Sequence, residues 1–139
     1  GSYFFANQAY NANELTINDQ LYLLESQIIH SLAEKGPCVI IGRCADYVLK
    51  EHKHTLNVFV HADIEFRKKR AVEHYGISPK KIEEFLHKQD KHRAHYHSFY
   101  TDQKWKAIEN YDLTIDSSRF GVDASVEMII AAAKIKSGI

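Results

Sequence analysis

The sequence predicts an α/β fold, a parallel sheet with flanking helices, on three observations. Short apolar runs rich in β-branched or aromatic residues occur at Cys38 to Gly42, Leu56 to Ala62 and Leu113 to Ser117, each with the length of a strand buried on both faces. Segments with apolar residues at helical spacing alternate with them. Parallel neighbours require a connection of helix length, so this alternation points to right-handed crossovers rather than hairpins. Three strands make a thin sheet. Buried strands need neighbours for their backbone groups, so one or two strands are expected to be missing from this chain, or a partner to cover an edge.

The elements follow in order. Residues 1–16 are rich in Asn, Ala and aromatics without a sustained period and predict a loop or tail. Thr16 or Asn18 can cap a helix in which Leu21, Leu24, Ile28 and Leu32 form one apolar face, ending at Gly36-Pro37. The Cys38 to Gly42 strand comes next. After the second strand, Asp63 can cap a helix to about His74, stopped by Gly76. Ser78-Pro79 starts another, with Ile82, Phe85 and Leu86 on its apolar side, running to about Tyr100. A last helix, from Gly121 or Asp123 to Lys136, follows the third strand and carries Val122, Val126, Ile129, Ile130 and Ala133 at helical spacing. No internal repeat is present.

Composition bounds the function. The 139 residues are 45% hydrophobic and 26% charged, which suits one globular domain over 1–139 and excludes a disordered tail or a collagen. Lys plus Arg and Asp plus Glu both number 18, so nothing in the balance requires nucleic acid or an anionic membrane as partner. The absence of a long apolar run or signal-peptide pattern predicts a cytoplasmic protein. Cys38 and Cys44, with no C-x-x-C pattern, are expected to be reduced. The Gly1-Ser2 start suggests that the natural protein begins further upstream.

Ligands of open α/β sheets collect beyond the C-terminal ends of strands. Gly42-Arg43-Cys44-Ala45-Asp46 follows the first strand directly. Arg43 offers a planar fork for phosphate or carboxylate, and Asp46 can accept from a ribose hydroxyl or a base amine. The plainer alternative is a strand-to-helix turn, with Asp46 as cap and Arg43 in solvent. Arg67 and Arg70 share a helix face beside Lys68 and Lys69, and Lys88, Asp90 and Arg93 form a second basic cluster. Residues 64–106 hold 11 Lys and Arg against 6 acids, an excess suited to a polyphosphate or nucleotide, although charge runs on helices are more often solvated faces. His92 and His95 are spaced to share a metal, but no Glu or Cys completes a known spacing, so no metal site is assigned. Tyr96, Phe99, Tyr100 and Trp105 read as core or lid aromatics, with stacking on single-stranded nucleic acid as the alternative. A G-x-x-x-x-G-K-[ST] phosphate loop is absent from the sequence.

The ordered string from Leu32 to Asp46, Val58-Phe59-Val60-His61-Ala62 with Glu65-Phe66-Arg67-x-x-Arg70, Asp90-Lys91-His92-Arg93, Thr101-x-Gln103-Lys104-Trp105 and Asn110-Tyr111-Asp112-Leu113 resembles the cytidylate kinase-like family of P-loop nucleoside monophosphate kinases. The resemblance runs from about Ile17 to about Ala133. It implies a phosphotransferase that moves the γ-phosphoryl of ATP, with Mg²⁺, onto a pyrimidine nucleoside monophosphate such as CMP. It further implies that Arg43, Asp46, Asp90 and Lys88 bind substrate and that Arg67, Arg70 and Arg93 are catalytic, with 78–106 forming a lid-like segment. This sequence departs from the family pattern in the Cys44-Ala45 pair between Arg43 and Asp46, and in His92 where arginine is expected. In the family sheet the phosphate-loop strand lies between those matching Val39 to Ile41 and Val58 to Val60. The chain alone is therefore expected to be the C-terminal portion of such a kinase, lacking the ATP site. The alternative is a non-catalytic nucleotide-binding or interaction module on the kinase fold, which pairs as a homodimer through an open sheet edge.

Overall fold

A computed structural model describes residues 15–138. Of the loop or tail expected over 1–16, only Leu15 and Thr16 fall within them. The helices are α1 (Ile17–Lys35), α2 (Ala45–Val48), α3 (Ile64–Tyr75), α4 (Ile82–Thr101), α5 (Ser117–Phe120) and α6 (Val122–Ser137), and the strands are β1 (Val58–His61) and β2 (Leu113–Asp116). The described residues form two compact units, 15–55 with 96–105 and 56–95 with 106–138.

In the first unit, Thr16 caps α1 by accepting from the Asp19 N–H, and the helix ends at Gly36, both as the sequence predicts. Its buried face is a different one. Tyr22 and Ile29 are buried, whereas Leu21, Leu24, Ile28 and Leu32 are exposed. The core of this unit is aromatic: Tyr22 stacks on Tyr100 with centroids 4.1 Å apart, Cys44 completes the cluster, and Val48 and Tyr96 rest against it. Large rings turned toward each other set which side of α1 is covered, and a count of leucines does not register that.

The first expected strand is also corrected. Cys38 to Ile41 is not a strand, and Val39 and Ile41 are 92% and 89% exposed. Strand character is a property of pairing, and no strand among the described residues bonds to this segment. The sheet of the described residues has two strands rather than three.

That sheet belongs to the second unit. β1 and β2 run parallel, with Val58 opposite Leu113 and His61 opposite Asp116. Asn57 extends the ladder, since its carbonyl accepts from the Asp112 and Leu113 N–H groups and its own N–H donates to Asp112 Oδ2 at 2.7 Å. Asp63 caps α3 through the Phe66 N–H, and Gly76, with φ 63°, ends it in the left-handed conformation that favours glycine. α4 begins at Ile82, three residues later than Pro79 suggests, because residues 78–81 close a turn in which the Lys81 N–H donates to the Ser78 carbonyl. α5 lies against β1 and α6 against β2, and Ile115 is buried. The product is a mixed chain with a small parallel sheet and flanking helices. No helix among the described residues is long and apolar enough to cross a membrane.

Candidate functional site

Arg43 and Asp46 sit in the first unit, on the corner that joins the irregular Cys38 to Ile41 segment to α2. Gly42, Arg43 and Cys44 have φ of 69°, 56° and 55°, three successive left-handed residues. Two of them are not glycine, a conformation that costs about 1 kcal/mol or more per residue. The corner turns the Cys44 side chain into the core and leaves half of the Arg43 side chain exposed. The Arg43 guanidinium lies 4.6 Å over the Tyr96 ring and 3.7 Å from Glu25 Oε1, so its plane is braced while one side faces outward. Tyr96 donates to the other Glu25 oxygen at 3.5 Å. Burial pushes the Tyr96 hydroxyl up to about 12 against the opposing pull of Arg43, so it stays a donor at neutral pH. Burial, with the nearby Asp46 charge, likewise raises the Cys44 thiol to about 12.

Asp46, at the start of α2, reaches His97 Nε2 at 3.2 Å. The ring is buried at 5% exposure. Its Nδ1 faces the Gln103 carbonyl at 3.4 Å and Thr101 Oγ1 at 3.2 Å. The Asp46 hydrogen bond raises the imidazole above its ordinary value, outweighing the opposite effect of burial.

The other site residues named above lie in the second unit. Arg67 on α3 makes a bidentate pair with Asp90 on α4, both bonds 2.7 Å, and Arg93 approaches the same carboxylate at 3.5 Å. Burial alone would raise the Asp90 carboxyl, but the hydrogen bond and charge of Arg67, with the charges of Lys106 and Arg93, hold it below the usual range. Arg70 stands 6.0 Å from the Phe66 ring, Lys88 is exposed on α4, and Lys68 binds Glu65 and Glu83. The structure therefore gathers Arg67, Asp90 and Arg93 into one cluster, leaves Arg70 and Lys88 outside it, and places Arg43 and Asp46 in the other unit.

Sequence reasoning missed the residues that orient these groups. His97, Thr101, Glu25 and Tyr96 are the partners of Asp46 and Arg43. The available signal was the i,i+4 spacing of His97 and Thr101, whose hydroxyl bonds back to the His97 carbonyl at 2.6 Å. A second missed feature lies at the strand ends. Ser117 Oγ donates to the His61 carbonyl, the Asp63 N–H donates to Ser118 Oγ, and Ser118 bonds Asp116 through both its N–H and its hydroxyl. Those Ser118 bonds hold the Asp116 carboxyl below its ordinary range.

The model of the cytidylate kinase-like family matches residues 2–119. A search of the curated proteins finds no match. Among solved structures, an uncharacterized protein from Eubacterium ventriosum ATCC 27560 is 30% identical with a TM-score of 0.79, over 86% of this chain and 68% of that one.

Proposed function

Because the chain belongs to the cytidylate kinase-like family, we propose that it carries the acceptor side of a phosphoryl transfer and binds a pyrimidine nucleoside monophosphate such as CMP. The observation that carries this reading is the braced Arg43 guanidinium, half-exposed and three residues along the chain from a fixed carboxylate on the same corner. Arg43 would take the monophosphate oxygens in its planar fork, and Asp46 would accept from a ribose hydroxyl or the base amine. Transfer of this kind relies on positioning and electrostatics, and the family resemblance implies phosphate-neutralising roles for the second unit's Arg67, Arg70 and Arg93.

The donor, ATP with Mg²⁺, does not fit the residues present. The sequence holds no G-x-x-x-x-G-K-[ST] loop to cradle its phosphates, which also hold the Mg²⁺ in sites of this kind. The reading therefore concerns the acceptor, and a P-loop kinase fold for the whole protein is part of the proposal.

Calorimetric titration with CMP tests it. Binding by the wild-type chain, lost in Arg43→Ala, is the expected result; equal binding by the two would remove Arg43 from the site. A second reading is favoured by Val39 and Ile41, an apolar pair exposed on a segment outside any helix or strand. On that reading the chain is an interaction module that pairs with a second copy through this segment, and a monomeric sedimentation mass would exclude it.

A further inference from the structure

His97 lies between hydrogen-bond acceptors on both sides of its ring. Nε2 faces the Asp46 carboxylate. On the Nδ1 side, the Gln103 carbonyl has only lone pairs to offer. Thr101 Oγ1 is in the same position, because its proton is committed to the His97 carbonyl and it also accepts from the Gln103 N–H at 3.1 Å. A neutral imidazole would leave one ring nitrogen lone pair against an acceptor inside a buried site, which costs about 1–3 kcal/mol. With the Thr101 proton on the His97 carbonyl, the imidazolium satisfies both sides.

We propose that His97 is a positioning residue: held as an imidazolium between Asp46 and the turn at 101–103, it fixes the Asp46 carboxylate in the orientation that meets the nucleoside of the bound monophosphate. The proposal rests on the acceptor reading above. His97 would not touch the nucleotide and would act through Asp46. Asp46 is the charged group that faces the ring from α2, while the partners from the end of α4 and the following turn are neutral. Arg43 and Glu25, the other charges on this corner, engage each other and Tyr96.

The sign follows from the raised imidazole. Its contribution to binding is complete at low pH and is lost as pH rises through the raised value. CMP affinity of the wild-type chain is therefore expected to fall by about tenfold across that rise, relative to His97→Gln measured in parallel. The parallel variant removes the effect of the nucleotide's own phosphate, which titrates near 6. By reciprocity of linkage, CMP should raise the His97 pKa by about one in an NMR titration of the wild-type imidazole, a readout that survives even if the variant fails to fold.

Wild-type and variant profiles that coincide, or a His97 pKa unmoved by saturating CMP, would overturn the positioning role and leave the acceptor reading standing. Absence of CMP binding by the wild-type chain at every pH would overturn both.

Discussion

Arg67 and Asp90 face each other across α3 and α4 through two parallel N–H···O bonds of 2.7 Å. Their side chains are 27% and 17% exposed, which places the pair between a surface ion pair and a buried one. Surface pairs contribute about 0–1 kcal/mol, and breaking a buried pair costs about 3–5. Asp90→Ala is therefore expected to cost about 2 kcal/mol in urea denaturation at pH 7. Because the Asp90 carboxyl is held below its unfolded value, the stabilisation is complete above about pH 4 and fades as pH falls through the folded value. The gap between wild type and variant should close in acid, and a gap that persists there would assign the loss to packing.

The two cysteines should separate cleanly by reactivity. Cys38 is exposed, whereas Cys44 is buried with its thiol pushed up to about 12. The thiolate is the reacting species, so one equivalent of a thiol reagent should be consumed by native protein at pH 8, and two after denaturation. Protection of the second thiol should be lost in Tyr22→Ala, which opens the cluster around it.

Tyr100 donates to the buried Asp19 carboxylate at 3.1 Å while its ring stacks on Tyr22. Tyr100→Phe keeps the stack and removes the donor, for an expected cost of about 1–2 kcal/mol and a fall in melting temperature of about 3–8 °C. Tyr100→Leu loses the stack as well and should fall further. Equal melting temperatures for Tyr100→Phe and wild type would show that Asp19 finds another partner.

Incubation of the 139-residue chain with ATP, Mg²⁺ and CMP should yield no CDP above background. The expectation follows from the absence of a G-x-x-x-x-G-K-[ST] cradle in the sequence. Turnover that scales with protein and is abolished by Arg43→Ala would show that other residues hold the donor.

Local chemistry was legible in the sequence where it is local in cause. Thr16, Asp63, Gly36 and Gly76 bound their helices as capping rules require, and β1 and β2 fall inside the predicted apolar runs. Cys38 to Ile41 reads the same way by composition, yet a strand exists only when another strand takes its hydrogen bonds. The covered face of α1 was misread for a related reason. Tyr22 is buried by Tyr100, a residue that arrives from the far end of α4, and no periodicity within α1 encodes it. Arg43 and Asp46 stand out as candidates from their place after an apolar run, but the groups that touch them come from far along the chain, as His97 does 51 residues after Asp46.

The parallel register of Val58 with Leu113 has a kinetic consequence. Those partners lie 55 residues apart, the separation also spanned by the Asn57 to Asp112 bond. Closing a loop of that length costs about 3–4 kcal/mol of chain entropy before any ladder bond forms. Helices α3 and α4 and the Arg67–Asp90 clasp lie inside the loop and span much shorter separations, so their formation shortens the distance left to close. The sheet is thus expected to be the last part of its unit to assemble, with φ-values lower at β1 and β2 than in α3 and α4.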